Sequence, residues 1–157
     1  MTNNHIFLKG IVLPLSSIHG SSHWRRVERF GLKVAEANGA DREVVSLFAY
    51  LHDARRVNND DDPGHGERAV VLLDELIKEN IINLTTKQYQ QLAKALSIHN
   101  QTDARCDDIT VQTCWDADRL DLWRCGIIPD PKLMYTSHGK SPEMIEYARE
   151  LNKENHL

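Results

Sequence analysis

The sequence LFAYLHDARR places an adjacent imidazole and carboxylate, His52 and Asp53, at the end of an apolar run with helical spacing. Val44, Val45, Phe48 and Leu51 recur at steps of three and four, so the segment reads as a core-facing helix. The pair therefore sits at the edge of a buried stripe. Desolvating such groups without partners costs about 2–7 kcal/mol each on transfer scales. A divalent cation satisfies both at once, which makes the pair the strongest constraint on the fold.

The rest of the chain supplies helices around it. Ser21 or Ser22 caps a helix running to about Asn38, where Gly39 supplies the stop, with His23, Val27, Phe30, Val34 and Ala37 on one face. Asp41 caps the helix that carries His52 and Asp53, and the polar run NNDDDPGHG follows as a loop. Pro63 lies early in a third helix on which His65, Ala69, Leu72 and Leu76 share a face. Thr85 or Thr86 caps a fourth, whose stripe of Leu92, Ala95 and Leu96 reaches His99. A fifth begins near Asp107 or Asp108 and carries Val111, Trp115, Asp118, Leu122 and Cys125 before Gly126 and Pro129. Ser141, Pro142 and Glu143 open a sixth. Residues 1–20 read as an irregular lead-in or a single helical turn. With no strand pattern and no repeat, the expectation is an all-α, single-domain helical bundle over residues 1–157.

Four histidines (His23, His52, His65, His99) and two aspartates (Asp53, Asp118) thus lie on or beside inward stripes, whereas His5, His19, His138 and His156 do not. One inward histidine alone is best read as bonded to a backbone carbonyl. Several ionisable groups facing one interior need a cation or a tight internal network, and helical bundles build metal sites from facing helices in this way.

Composition limits the partners. A formal charge of -4, with 27% charged residues, argues against a general nucleic-acid or anionic-membrane surface. The apolar run IFLKGIVLPL is broken by Lys9 and Pro14 and has no basic leader, so a cytoplasmic location is the expectation. Cys106, Cys114 and Cys125 show no CxxC spacing and read as reduced structural residues.

The ordered set His23, His52-Asp53 and Asp118 within WDADRLD resembles the HD-domain superfamily of metal-dependent phosphohydrolases over about residues 20–125, leaving 126–157 as a C-terminal helical extension. HWRRV is similar to the family's first-histidine helix, Arg56 stands where many members carry a basic residue, and ADRLD matches the surroundings of the last aspartate. The resemblance implies that His23, His52, Asp53 and Asp118 bind one divalent ion (Mn, Co, Ni, Zn, Fe or Mg), with Asp118 preferred over Asp116 because of its A-D-x-L setting and its stripe. A second ion is implied only for members with further histidines in the interval that His65 and His99 occupy.

From the same resemblance, Asp53 orients water and His65 contacts substrate or donates a proton; Glu67, near His65, reads either as a further proton donor or base or as a solvated first-turn residue favoured by the helix dipole. A small phosphorylated substrate, nucleotides being the commonest class the resemblance implies, needs local positive charge on a net acidic chain; Arg56 and Arg68, each within a few residues of an inward ligand, are the first choices to contact it, with His99. Blander readings stand beside these. His65 also suits an N-terminal cap or a bond to Asp61 or Asp62, and His99 a bond to the last helical carbonyls. Arg56 and Arg68 suit surface ion pairs with the Asp60–Asp62 run or Glu67, worth about 0–1 kcal/mol. Two alternatives to the hydrolase are a non-catalytic metal- or ligand-binding HD module and a di-iron HD-type oxygenase that takes His65 and His99 as iron ligands.

Overall fold

The computed structural model describes residues 10–154, and among them the chain forms six α-helices and no strand. They are α1 (Ser21–Asn38), α2 (Arg42–Leu51), α3 (His65–Lys78), α4 (Thr86–Ile98), α5 (Ile109–Leu120) and α6 (Pro142–Glu154), with 3-10 turns at Asp121–Cys125 and Pro131–Leu133. Residue 5 and residue 156, two of the histidines set aside above, lie outside the described residues.

The central helix is α2, which touches α1, α3, α4 and α5. Its residues Val44, Val45, Phe48, Ala49 and Leu51 are buried, as a core-facing helix requires. Helix α1 packs on α2 and α5, and α3 packs on α4.

Polar caps fix the starts of three of these helices. Asp41 Oδ1 accepts from the N–H groups of Glu43 and Val44, at 3.0 and 3.1 Å. Thr85 and Gln88 form a reciprocal capping box, and Asp108 Oδ1 accepts from Thr110 and Val111 at 2.8 and 3.1 Å. These starts are also tied to one another. Gln88 Nε2 reaches Asp41, the Asp41 N–H donates to Thr110 Oγ1 at 2.9 Å, and Gln91 Nε2 reaches Asp108. The amino ends of α2, α4 and α5 therefore gather at one end of the bundle and their carboxyl ends at the other.

Three boundaries and one helix face differ from the sequence reading. Pro63, expected early in the third helix, lies before its cap residue Gly64, because α3 begins only at His65. Gly20, not a serine, is the residue before α1, and it makes no side-chain cap. Ala37, expected on the inward face of α1, is exposed near that helix's end. The fifth helix stops at Leu120 and tightens into a 3-10 turn, because Asp121 turns fully inward to the partners described below, and Leu122 is left only half-buried. Gly39 ends α1 with φ 78°, the left-handed conformation a C-terminal glycine supplies without strain.

The C-terminal extension packs on this core. Buried Asp116 Oδ1 accepts from the N–H of Tyr135 at 2.9 Å, and Oδ2 accepts from the N–H and hydroxyl of Thr136, each at 2.7 Å. Trp123 Nε1 donates to Ile145 O of α6. Among the described residues, no helix is long and apolar enough to cross a membrane.

Candidate metal centre

The carboxyl ends of α2, α4 and α5 meet the amino ends of α1 and α3. His23 is in the first turn of α1, and His52 caps the end of α2 with Asp53 next in the chain. His65 opens α3, His99 caps the end of α4, and Asp118 lies in the last turn of α5. Three converging carboxyl ends carry partial negative charge, which favours a cation there.

Every one of the four imidazoles has its Nδ1 engaged by an acceptor. His23 Nδ1 donates to Asp121 Oδ2 at 2.6 Å, His52 Nδ1 to Phe48 O and Ala49 O at 3.1 and 3.0 Å, His65 Nδ1 to Asp62 O, and His99 Nδ1 to Leu96 O at 2.8 Å. These acceptors place the proton on Nδ1 and leave each Nε2 as a lone pair when the ring is neutral. The four Nε2 atoms then face one another in two pairs: His23 and His52 at 3.0 Å, His65 and His99 at 2.7 Å. Facing lone pairs repel unless something positive lies between or beside them.

Asp53 stands between the pairs. Its Oδ2 is 3.4 Å from His23 Nε2 and 3.5 Å from His52 Nε2, and its Oδ1 is 3.2 Å from His65 Nε2 and 3.6 Å from His99 Nε2. Asp118 Oδ1 completes the first pair at 3.3 and 3.4 Å. Two sets of donor atoms result, each within 4.8 Å of one another: His23, His52 and Asp118, and Asp53, His65 and His99. Imidazole nitrogens and carboxylate oxygens suit Mn, Fe, Co, Ni and Zn, and the fixed Nδ1 protons pre-orient the donors, so the residues present fit a divalent ion.

The electrostatics agree. Burial alone pushes the Asp53 carboxyl up, but the His52 ring and the polar contacts with His19, His23 and His65 hold it well below the usual carboxylate range. Asp118 is likewise held low against burial by His52 and His23. Burial and the nearby Arg124 push the His23 imidazole down, yet its bonds to Asp118, Asp121 and Asp53 outweigh them and raise it to about 10. The ion-free pocket thus holds a proton at His23 in the midst of three carboxylates.

The structure places the remaining candidates unevenly. Arg56 is buried, with Nη1 3.0 and 3.3 Å from the two ring nitrogens of His65 and Nη2 donating to Asp60 O at 2.8 Å; its buried Nε has no partner among the described residues. Arg68 is not brought to the cluster: it pairs with both oxygens of Asp62 and donates to Arg55 O. Glu67 is exposed, because two residues beyond His65 a helix has turned most of the way to its opposite face. The acidic loop is stitched rather than loose, with Val57 N–H donating to Asp62 Oδ2 and two of its carbonyls orienting Arg56 and His65.

Two groups at the cluster escaped the sequence reading. His19 Nδ1 lies 2.9 Å from Asp53 Oδ2, and its backbone carbonyl is held by Trp24 Nε1 at 2.7 Å. The signal was its spacing of four from His23, masked by the intervening Gly20. Asp121, fully buried, bonds His23 and takes a bidentate pair from Arg26 at 2.7 and 3.0 Å. Its signal was the last letter of ADRLD, three residues on from Asp118. His138, by contrast, is exposed and lines a separate groove with Lys33 and Glu143.

A family model described as HD domain matches residues 20–123, the span that supplies every residue of both donor sets. The chain belongs to the HD-domain superfamily. No curated protein and no solved structure matches it. Most HD domains are metal-dependent phosphohydrolases; this one is all-helical among its described residues and gathers a His/Asp cluster that could hold a metal where three helices end.

Proposed function

We propose that this HD domain is a phosphohydrolase that holds two divalent ions and cleaves a small phosphate ester or anhydride, nucleotides being the first class to test. The observation that carries the second ion is the His65–His99 pair. Both rings have Nδ1 committed to a carbonyl, and both Nε2 atoms turn toward Asp53 Oδ1. This reading takes His65 and His99 as ligands, whereas the sequence alone favours substrate contact for both and proton donation for His65.

Divalent ions bound there supply Lewis acidity toward a phosphoryl oxygen and bring the pKa of a water near neutrality. The chain's own residues do the rest. Asp53 offers one oxygen to each donor set and is steadied by His19. Arg56, a buried guanidinium with an unpartnered Nε, offers positive charge to a phosphate oxygen beside His65. Asp118 keeps 21% of its side chain exposed, which marks the open side of the cluster. Arg68 and Glu67 are assigned no step, since neither reaches the site.

The test is metal analysis of protein purified without chelator, followed by phosphate release from a panel of nucleotides and phosphoesters with Mn, Co, Ni or Mg. Two ions per chain are expected in the wild type, one in His65→Ala or His99→Ala, and no phosphate release from Asp53→Ala. Two ions with no release anywhere on the panel would move the reading to a binding module. The His65–His99 pair also meets the ligand requirement of a di-iron oxygenase, and two irons with an oxygen-dependent optical change would favour that chemistry.

A further inference from the structure

The matched region ends at residue 123, yet a side chain from α6, about thirty residues later, reaches into the metal centre's support. Asn152 is buried, and its Nδ2 donates to Asp121 Oδ1 at 3.0 Å and to Ala148 O at 3.0 Å. Both neighbours are acceptors, which settles which end of the amide is nitrogen and uses both of its hydrogens. The inward face of α6 is otherwise Met144, Ala148 and Leu151, so packing alone calls for an apolar residue at this position.

Asp121 shows what the amide is for. Oδ1 accepts from Arg26 Nε and Asn152, and Oδ2 accepts from Arg26 Nη2 and His23 Nδ1. Four donors occupy the four lone-pair directions of one carboxylate, so it has a single allowed rotation about its Cβ–Cγ bond. The plane of that carboxylate sets the plane of the His23 ring, and the ring sets the direction of Nε2. A ligand imidazole's orienting partner typically carries 10–100-fold in metal affinity.

We propose that Asn152 is a positioning residue for the metal centre, acting through Asp121 to aim His23 Nε2. The C-terminal helix is then part of the site's construction and not only a cover for the core. The proposal rests on the reading of His23 as a ligand, and the experiment separates the two.

Mn2+ binding is followed by competition with a chromophoric chelator in wild type, Asn152→Leu, Asn152→Ala and Met144→Ala, at a temperature where their helical circular dichroism coincides. Leu keeps the volume without the donor, Ala guards against a poorly accommodated Leu, and Met144→Ala loosens α6 two turns away. Both Asn152 variants should bind one Mn2+ about tenfold more weakly and the other unchanged, with Met144→Ala like wild type. In the metal-free proteins, the downfield imidazole N–H resonance that vanishes in His23→Ala should shift in the Asn152 variants only. Unaltered Mn2+ binding by the Asn152 variants overturns the proposal, as does an equal loss in Met144→Ala. If the wild type binds no Mn2+, the metal reading fails, and the resonance alone then decides for or against Asn152.

Discussion

Asp116 and Asp118 are two residues apart on α5 and face different neighbours. Asp118 Oδ1 points at the His23–His52 pair, whereas Asp116 is fully buried under the segment after Pro131 and accepts three hydrogen bonds from Tyr135 and Thr136. Burial pushes the Asp116 carboxyl up; the Thr136 and Tyr135 N–H groups pull against it without cancelling the rise. Truncating this side chain strands buried donors, at about 1–3 kcal/mol for each that finds no water. Asp116→Ala is therefore expected to lower stability by about 2–3 kcal/mol in urea titration while keeping its ions. Asp118→Ala should do the reverse, losing an ion from the His23 side with little change in the midpoint of the ion-free protein. An Asp116→Ala variant that remained folded but lost metal would contradict this division.

At the level of elements, the His65–His99 pair depends on how closely α3 approaches α4. Gly66 makes that approach possible: a Cβ there would stand 2.6 Å from Leu96 O and 2.8 Å from Ser97 O, both backbone atoms that cannot swing away. Gly66→Ala should push the start of α3 off the end of α4 and weaken the ion held by Asp53, His65 and His99. The His23-side ion should persist, and calorimetric titration resolves the two. Equal affinity at both sets would mean that the helices yield without cost. Much of this layout was legible beforehand, because a polar residue that faces inward on a helix obeys the same 3.6-residue period as its apolar neighbours; that rule placed His23, His52, His65, His99 and Asp118 on inward faces, where the structure brings them together. It failed where the backbone leaves the helix. His19 sits before Gly20, and Asp121 lies in a 3-10 turn that the sequence extends as α-helix, which put Leu122 on the stripe in its place. Asn152 looked like an ordinary polar residue of a terminal helix. Its meaning comes only from the contact between α6 and the 3-10 turn, a tertiary fact with no local signature.

For the whole molecule, the site makes the ion-free protein lose stability as pH rises, a loss that bound metal offsets. His23 is raised from 6.5 to about 10 in the ion-free fold, so its contribution is complete below about pH 6.5 and disappears as pH rises through about 10. Asp53, Asp118 and Asp121 are lowered from 3.8, so theirs is complete above about pH 4 and disappears as pH falls through the depressed folded values. The ion-free cluster supports the fold in full only between those limits. A divalent ion needs the His23 lone pair and must displace the proton held there, so below about pH 10 each ion on that side releases one proton. Its affinity should then climb about tenfold per pH unit, which adds about 1.4 kcal/mol of ion-linked stability per unit at a fixed excess of free metal. Melting curves in chelator and in excess Mn2+ at pH 6, 7 and 8 test this directly. The chelated midpoint should decline over that range while the gap between the two curves widens. A constant gap would mean that the proton is not on His23 in the ion-free protein, and that the imidazole pairs are kept apart by some other means than the three carboxylates around them.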